Sequence, residues 1–298
     1  MMRLRWILVL ALLAVAAPAS AEASQLIDRN ATHVRLSVNR AGQALLTYRV
    51  AGRTRHVLAW NGLNAVSPTA GRPQVRFRLD YSGGWGTYRK QVWKTFRNTC
   101  RPYAGPPLAW FLSGCTAPDG SLWALQVWQR ELPNYGLRPS AQEAVQELRL
   151  SHWTGALPVL TIHLDWAYRR FDHLFGSFSY LGSPVFGFRS TAEGAPLDRF
   201  GRNIYVDTFD SVYGAGWRRE NSFLSHGGTG TFCYGFYPHG EHPIGKGTQY
   251  RATAIGPGVT PDVMWQSPAL GPYDASLDRQ LADVLRATVG GDPLCRPV

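Results

Sequence analysis

Leu160-Thr161-Ile162-His163-Leu164-Asp165-Trp166 alternates apolar and polar side chains without a break. Successive residues of a β-strand point to opposite faces, so strict period two marks a strand with one face buried. The same period recurs on both sides of this stretch. Val34, Leu36 and Val38 carry it early in the chain. Val75, Phe77, Leu79 and Tyr81 carry it next, spaced by Arg76, Arg78 and Asp80. Phe232, Tyr234 and Phe236 carry it late, around Cys233 and Gly235. Glycine and proline clusters at 104–107, 118–120, 182–184, 227–230 and 256–258 punctuate the runs with turn chemistry. Many short strands broken this way predict an all-β protein, built as two sandwich or jelly-roll modules. One helix is expected, from Ser276 to about Thr288. Leu277, Leu281, Val284 and Leu285 share a face there, Asp274 or Ser276 caps the start and Gly290-Gly291 stops it.

The first 21 residues read differently. Arg3 and Arg5 precede an apolar run of twelve residues, Trp6 to Ala17, and Ala19-Ser20-Ala21 follows. A short basic start, a short apolar core and small residues at the cleavage position describe a secretory signal. No later apolar run approaches the ~20 residues of a membrane helix. The expected product is therefore extracytoplasmic, with no integral membrane segment after cleavage. The expected modules are 22–170 and 171–298, divided near Arg169 to Asp172. Four cysteines in an exported chain suggest two disulfides, and each closes within one module if Cys100 pairs with Cys115 and Cys233 with Cys295.

Lys and Arg number 31 against 20 Asp and Glu, a net charge of +11. Losing Arg3 and Arg5 with the signal leaves 29 against 20, or +9. The arginines stand singly or in pairs, such as Arg169-Arg170 and Arg218-Arg219, and read as spread rather than clustered. Such a balance suits an anionic cell-wall polymer or membrane face. Nucleic acid is disfavoured, because no basic tract, zinc finger or RNA-binding signature is present.

The standard catalytic motifs are missing. There is no G-x-S-x-G, H-E-x-x-H, G-x-x-x-x-G-K-[ST] or G-x-G-x-x-G. Chemistry-bearing residues gather instead between Ile204 and Lys246. Asp207 and Glu220 are candidates for an acid and base pair of a hydrolase acting on glycan or cell-wall material. His226, His239 and His242 are candidates for binding a divalent metal such as zinc or copper, with Asp207 as a further ligand. Asn203, Asp207 and Asp210 offer oxygen ligands for calcium. His163 and Asp165 share a strand face and read as a solvent-facing row. Ten tryptophans follow the signal, and Trp85 is unusual among them: it stands between Gly83-Gly84 and Gly86. A ring on so bare a segment is expected to be exposed, and an exposed ring stacks well on the C–H face of a sugar. The leading expectation is thus a secreted protein that binds cell-wall or environmental polysaccharide through Trp85. A secreted hydrolase and a structural envelope protein are the alternatives.

Overall fold

The stretch from Leu160 to Trp166 lies within a strand, Val159–Ala167. The structure, a computed structural model of the chain, describes residues 24–67, 73–129, 145–167, 169, 171–185, 204–212, 214–220, 231–236 and 247–289. The expected signal, 1–21, lies outside them.

Four antiparallel sheets account for the strands among the described residues. The first holds β2 (Thr32–Val38), β3 (Ala44–Val50), β4 (Arg53–Trp60) and β5 (Arg78–Asp80) in that order. The second runs β1 (Gln25–Arg29), β9 (Gln146–Trp153), β8 (Leu122–Gln129), β7 (Phe111–Thr116) and β6 (Arg101–Pro102). The third pairs β11 (Phe171–Tyr180) with β10 (Val159–Ala167), β12 (Ser183–Pro184) and β15 (Thr231–Phe236). The fourth runs β14 (Gly214–Arg219), β13 (Ile204–Ser211), β16 (Gln249–Ala254) and β17 (Val263–Pro268). Of the run from Val75 to Tyr81, only Arg78–Asp80 pairs as strand.

Alternation explains how the sheets bury their apolar faces. Leu46, Val57 and Ala59 from the first sheet share a cluster with Trp123, Leu125, Leu148 and Leu150 from the second. Ile162, Leu164, Leu174 and Phe178 from the third sheet share another with Ile204, Val206, Tyr250 and Ala252 from the fourth. The other faces of the second and fourth sheets meet at Trp128 and Tyr205, whose rings lie edge to face at 5.4 Å. This joint is polar. The buried Asp262 accepts from the Trp128 indole at 2.8 Å and the Ser24 hydroxyl at 2.6 Å, and Arg149 donates to the Ser24 carbonyl at 2.7 Å. The boundary read near Arg169 to Asp172 falls where β10 and β11 pair, with Phe171 opposite Ala167 and Asp172 opposite Trp166, and both strands feed the second cluster.

The helix is α2 (Ala275–Val289), one residue longer at each end than expected, with Asp274 accepting from the Ser276 and Leu277 amides. Leu285 and Val289 pack on Phe175 of β11. That contact covers the third sheet's other face, so Asp165 is buried at 4% exposure, where the sequence suggested a solvent-facing row. No helix among the described residues is long and apolar enough to cross a membrane.

Cys100 and Cys115 form a disulfide, as expected, tying the segment before β6 to β7. Cys233 is also disulfide-bonded, and its expected partner Cys295 lies outside the described residues.

Candidate binding surface

The two carboxylates expected to work as a pair face opposite sides of one sheet. Asp207 on β13 is flanked in register by Arg219 on β14 and Arg251 on β16. It accepts from Arg219 at 2.8 Å and 3.2 Å and from Arg251 at 3.3 Å. Arg251 is itself clamped, its guanidinium 3.8 Å from the Trp110 ring centre and 4.1 Å from that of Trp217. Burial pulls this guanidinium down to about 10, against the attraction of Asp207. Asp207 is thus the counter-ion of two buried cations, a role that leaves it closed to substrate. Glu220 follows Arg219 and points the other way, accepting from the Thr208 hydroxyl at 3.1 Å. The Tyr250 hydroxyl donates to Asp172 on that same side. Asp210 accepts from the Gly216 amide at 2.6 Å, which closes the β13–β14 turn.

His226, His239, His242 and Asn203 lie outside the described residues. Among the described residues, no group of three His, Cys, Asp or Glu side chains could hold a metal. One further arrangement resembles a nucleophile and its base. Ser121 donates to Asp119 at 2.6 Å and stands 2.8 Å from His152 Nε2. Ser121 is only 1% exposed, however, and His152 lies flat against Trp123 with ring centres 3.7 Å apart. The group locks the β7–β8 turn to the core and offers no approach to a substrate.

Exposed chemistry is concentrated elsewhere, on the outer face of the first sheet. After β5 the chain turns through Gly83-Gly84 into a single helical turn, α1 (Trp85–Tyr88). Both glycines have positive φ, 63° and 105°. A Cβ on Gly83 would press on His56 and Trp93 at 2.8 Å, and one on Gly84 would collide with Val92. Only glycine lets this backbone lie so flat on the sheet. The ring that follows is lifted clear: Trp85 is 51% exposed, beside Tyr81 at 55% and Tyr88 at 41%.

Asp80 fixes the segment from beneath. It lies outward on β5 opposite Leu58, and its carboxylate accepts from the Ser82 amide at 2.9 Å and the Thr87 amide at 2.8 Å. The Ser82 hydroxyl donates to it as well and accepts in turn from the Gly86 amide at 2.6 Å. Burial pushes the Asp80 carboxyl up, but these hydrogen bonds outweigh it and hold the group at about 2. Trp93 stacks on His56 at 5.0 Å, Trp60 tilts against Tyr88 at 6.3 Å, and Gln43 donates to the Tyr88 hydroxyl at 2.8 Å. The platform is therefore braced on β4, β5 and Gln43, the residue before β3, before any ligand arrives.

The part of the chain that carries it is strongly basic. Residues 29–118 hold fourteen Lys and Arg and one acidic residue, Asp80, a net of +13. Residues 119–298 hold fifteen basic and seventeen acidic residues, a net of −2. The arginines that read as spread are thus concentrated in one part of the chain. A running charge count finds this signal, where a search for tracts of adjacent Lys and Arg misses it.

No protein family, curated protein or solved structure matches the chain.

Proposed function

We propose that this is an exported protein that binds a polysaccharide outside the cytoplasm, with the α1 platform as its contact surface. The observation that carries the reading is Trp85, half exposed on a segment that Asp80 hydrogen-bonds in place and that Gly83 and Gly84 let lie close against the sheet. A backbone already braced under the ring loses little conformational entropy on binding, so more of the stacking energy appears as affinity. Tyr81 and Tyr88 add hydroxyl-bearing rings on either side in the chain. Sugars present apolar C–H faces and polar edges, and such rings match both. The charge pattern before Trp6 and the disulfide support export. The carboxylate-pair form of the hydrolase alternative loses support, because Asp207 is bound to two arginines and Glu220 faces away from it.

The test is retention on a panel of insoluble wall and plant polysaccharides, with wild type and Trp85→Ala at low and high salt. Truncating the ring is expected to cost about 1–2 kcal/mol. Retention on at least one polysaccharide that drops in Trp85→Ala supports the reading. Retention on none, or retention indifferent to Trp85, overturns it.

A further inference from the structure

We infer that the polysaccharide is acidic, and that it lies across the outer face of the first sheet with its charged groups on the arginines around α1. This rests on the platform's being a glycan site and adds the chemical class of the glycan.

Three observations converge. Of the fourteen basic residues between 29 and 118, thirteen are described, and all thirteen are exposed. Arg29 pairs with Glu147 and Arg55 with Asp28, which leaves eleven without a carboxylate partner among the described residues. The acidic residue amid them, Asp80, is consumed by Ser82 and Thr87.

The second observation is placement. Leu46, Tyr48 and Ala59 face the core, so their neighbours Thr47, Arg49 and Trp60 face outward. Arg35 is in register with Thr47, and Arg78 with Trp60, which puts Arg35, Arg49 and Arg78 on the same face as the rings. Arg89, Lys90 and Lys94 follow Trp85 in the chain and are exposed. Six cations thus share the face or the segment that carries Trp85.

The third is cost. Like charges crowded on one four-stranded sheet repel one another and weaken the compact state. Charge kept only for solubility is better interspersed with the opposite sign. An anionic polymer removes the repulsion and is attracted by it. Arginine outnumbers lysine here, and its planar fork suits carboxylate, sulfate or phosphate oxygens bidentately. A sugar acid supplies both halves of the fit, with ring faces for Trp85 and anionic groups for the arginines. A nucleic acid would answer to the charge, but it is served best by rings lining a groove that tracks the strand. These rings stand on a raised turn.

The experiment compares two matched pairs of polymers: polygalacturonate with its fully methyl-esterified form, and dextran sulfate with dextran. Each pair keeps the sugar backbone and removes the charge, and the two pairs separate carboxylate from sulfate. Wild type is expected to bind at least one acidic member about tenfold or more tightly than its neutral mate, with the advantage fading as salt rises from about 50 to about 300 mM. The triple variant Arg89→Gln, Lys90→Gln, Lys94→Gln changes only exposed side chains. It is expected to lose most of that advantage, and Trp85→Ala is expected to weaken binding to the acidic polymer as well. Equal binding within both pairs overturns the acidic proposal and leaves the glycan reading standing. Binding to no polysaccharide overturns both. Binding to single-stranded DNA as tight as to the acidic glycan, and indifferent to Trp85→Ala, overturns both in favour of plain polyelectrolyte attraction.

Discussion

Replacing Asp80 by alanine tests how the platform is held. The change removes the acceptor for the Ser82 and Thr87 amides and for the Ser82 hydroxyl. A hydrogen bond to a charged group contributes about 1.5–3 kcal/mol net. Two backbone amides lose such a bond, and Thr87 is exposed enough for water to replace part of it. The expected loss is therefore about 2–4 kcal/mol, confined to 80–95 because the segment lies on an outer face. At a factor of ten per ~1.4 kcal/mol, the Ser82 and Thr87 amides should exchange with solvent roughly 30- to 1,000-fold faster. Asp80→Asn keeps a neutral acceptor and should lose less. The pH dependence has a definite sign. The folded carboxyl sits at about 2, below its unfolded value, so its contribution is complete above pH ~4 and is lost as pH falls through about 2. Hydrogen exchange read residue by residue is the assay, with polysaccharide retention measured on the same sample. Unchanged exchange at both amides in Asp80→Ala would refute the bracing argument, and faster exchange with undiminished retention would separate bracing from binding.

Asp207→Ala leaves Arg219 and Arg251 buried without their counter-ion and should cost about 3–5 kcal/mol, seen as a lower denaturant midpoint. Retention per folded molecule should not change, and a variant as stable as wild type would contradict the assigned role. Converting Cys100 and Cys115 to serine opens a disulfide of sequence separation 15 and should destabilise by roughly 3 kcal/mol in denaturant unfolding. Burial pulls the His152 imidazole down to about 4, against the upward pull of the Gly62 carbonyl and Asp119. The unfolded chain therefore takes up this proton first, and stability is lost as pH falls from ~6.5 toward 4. An NMR titration of the His152 ring with a midpoint near 6.5 would contradict that burial effect.

Much of the fold was legible because period two is a local property. Leu160 to Trp166 and Val34 to Val38 announce their strands in a few residues each, and Leu277 to Leu285 announces α2 by its spacing. Which sheet covers which face is not local. His163 and Asp165 share a face as alternation requires, but the arrival of α2 on that face depends on packing more than a hundred residues away. The same holds for the candidate site. Trp85 was readable, since three glycines around one large ring leave it little to hide behind. Asp207 and Glu220 looked like partners because they are both acidic and close in sequence. Strand pairing sets them on opposite faces, and the arginines that claim Asp207 come from two other strands. The bracing by Asp80 was hidden for a similar reason: as one polar residue in an alternating run, it gives no sign of the amides seven residues on.

The central claim is that a braced Trp85 makes contact with polysaccharide. Its most direct test is a binding isotherm on the best-retained polysaccharide for wild type, Trp85→Ala and Trp85→Phe, with folding of each checked by exchange at Ser82 and Thr87. A loss of about 1–2 kcal/mol corresponds to roughly 5- to 30-fold weaker binding for Trp85→Ala, and the phenyl ring of Trp85→Phe should restore most of it. Equal affinities for all three proteins would contradict the account.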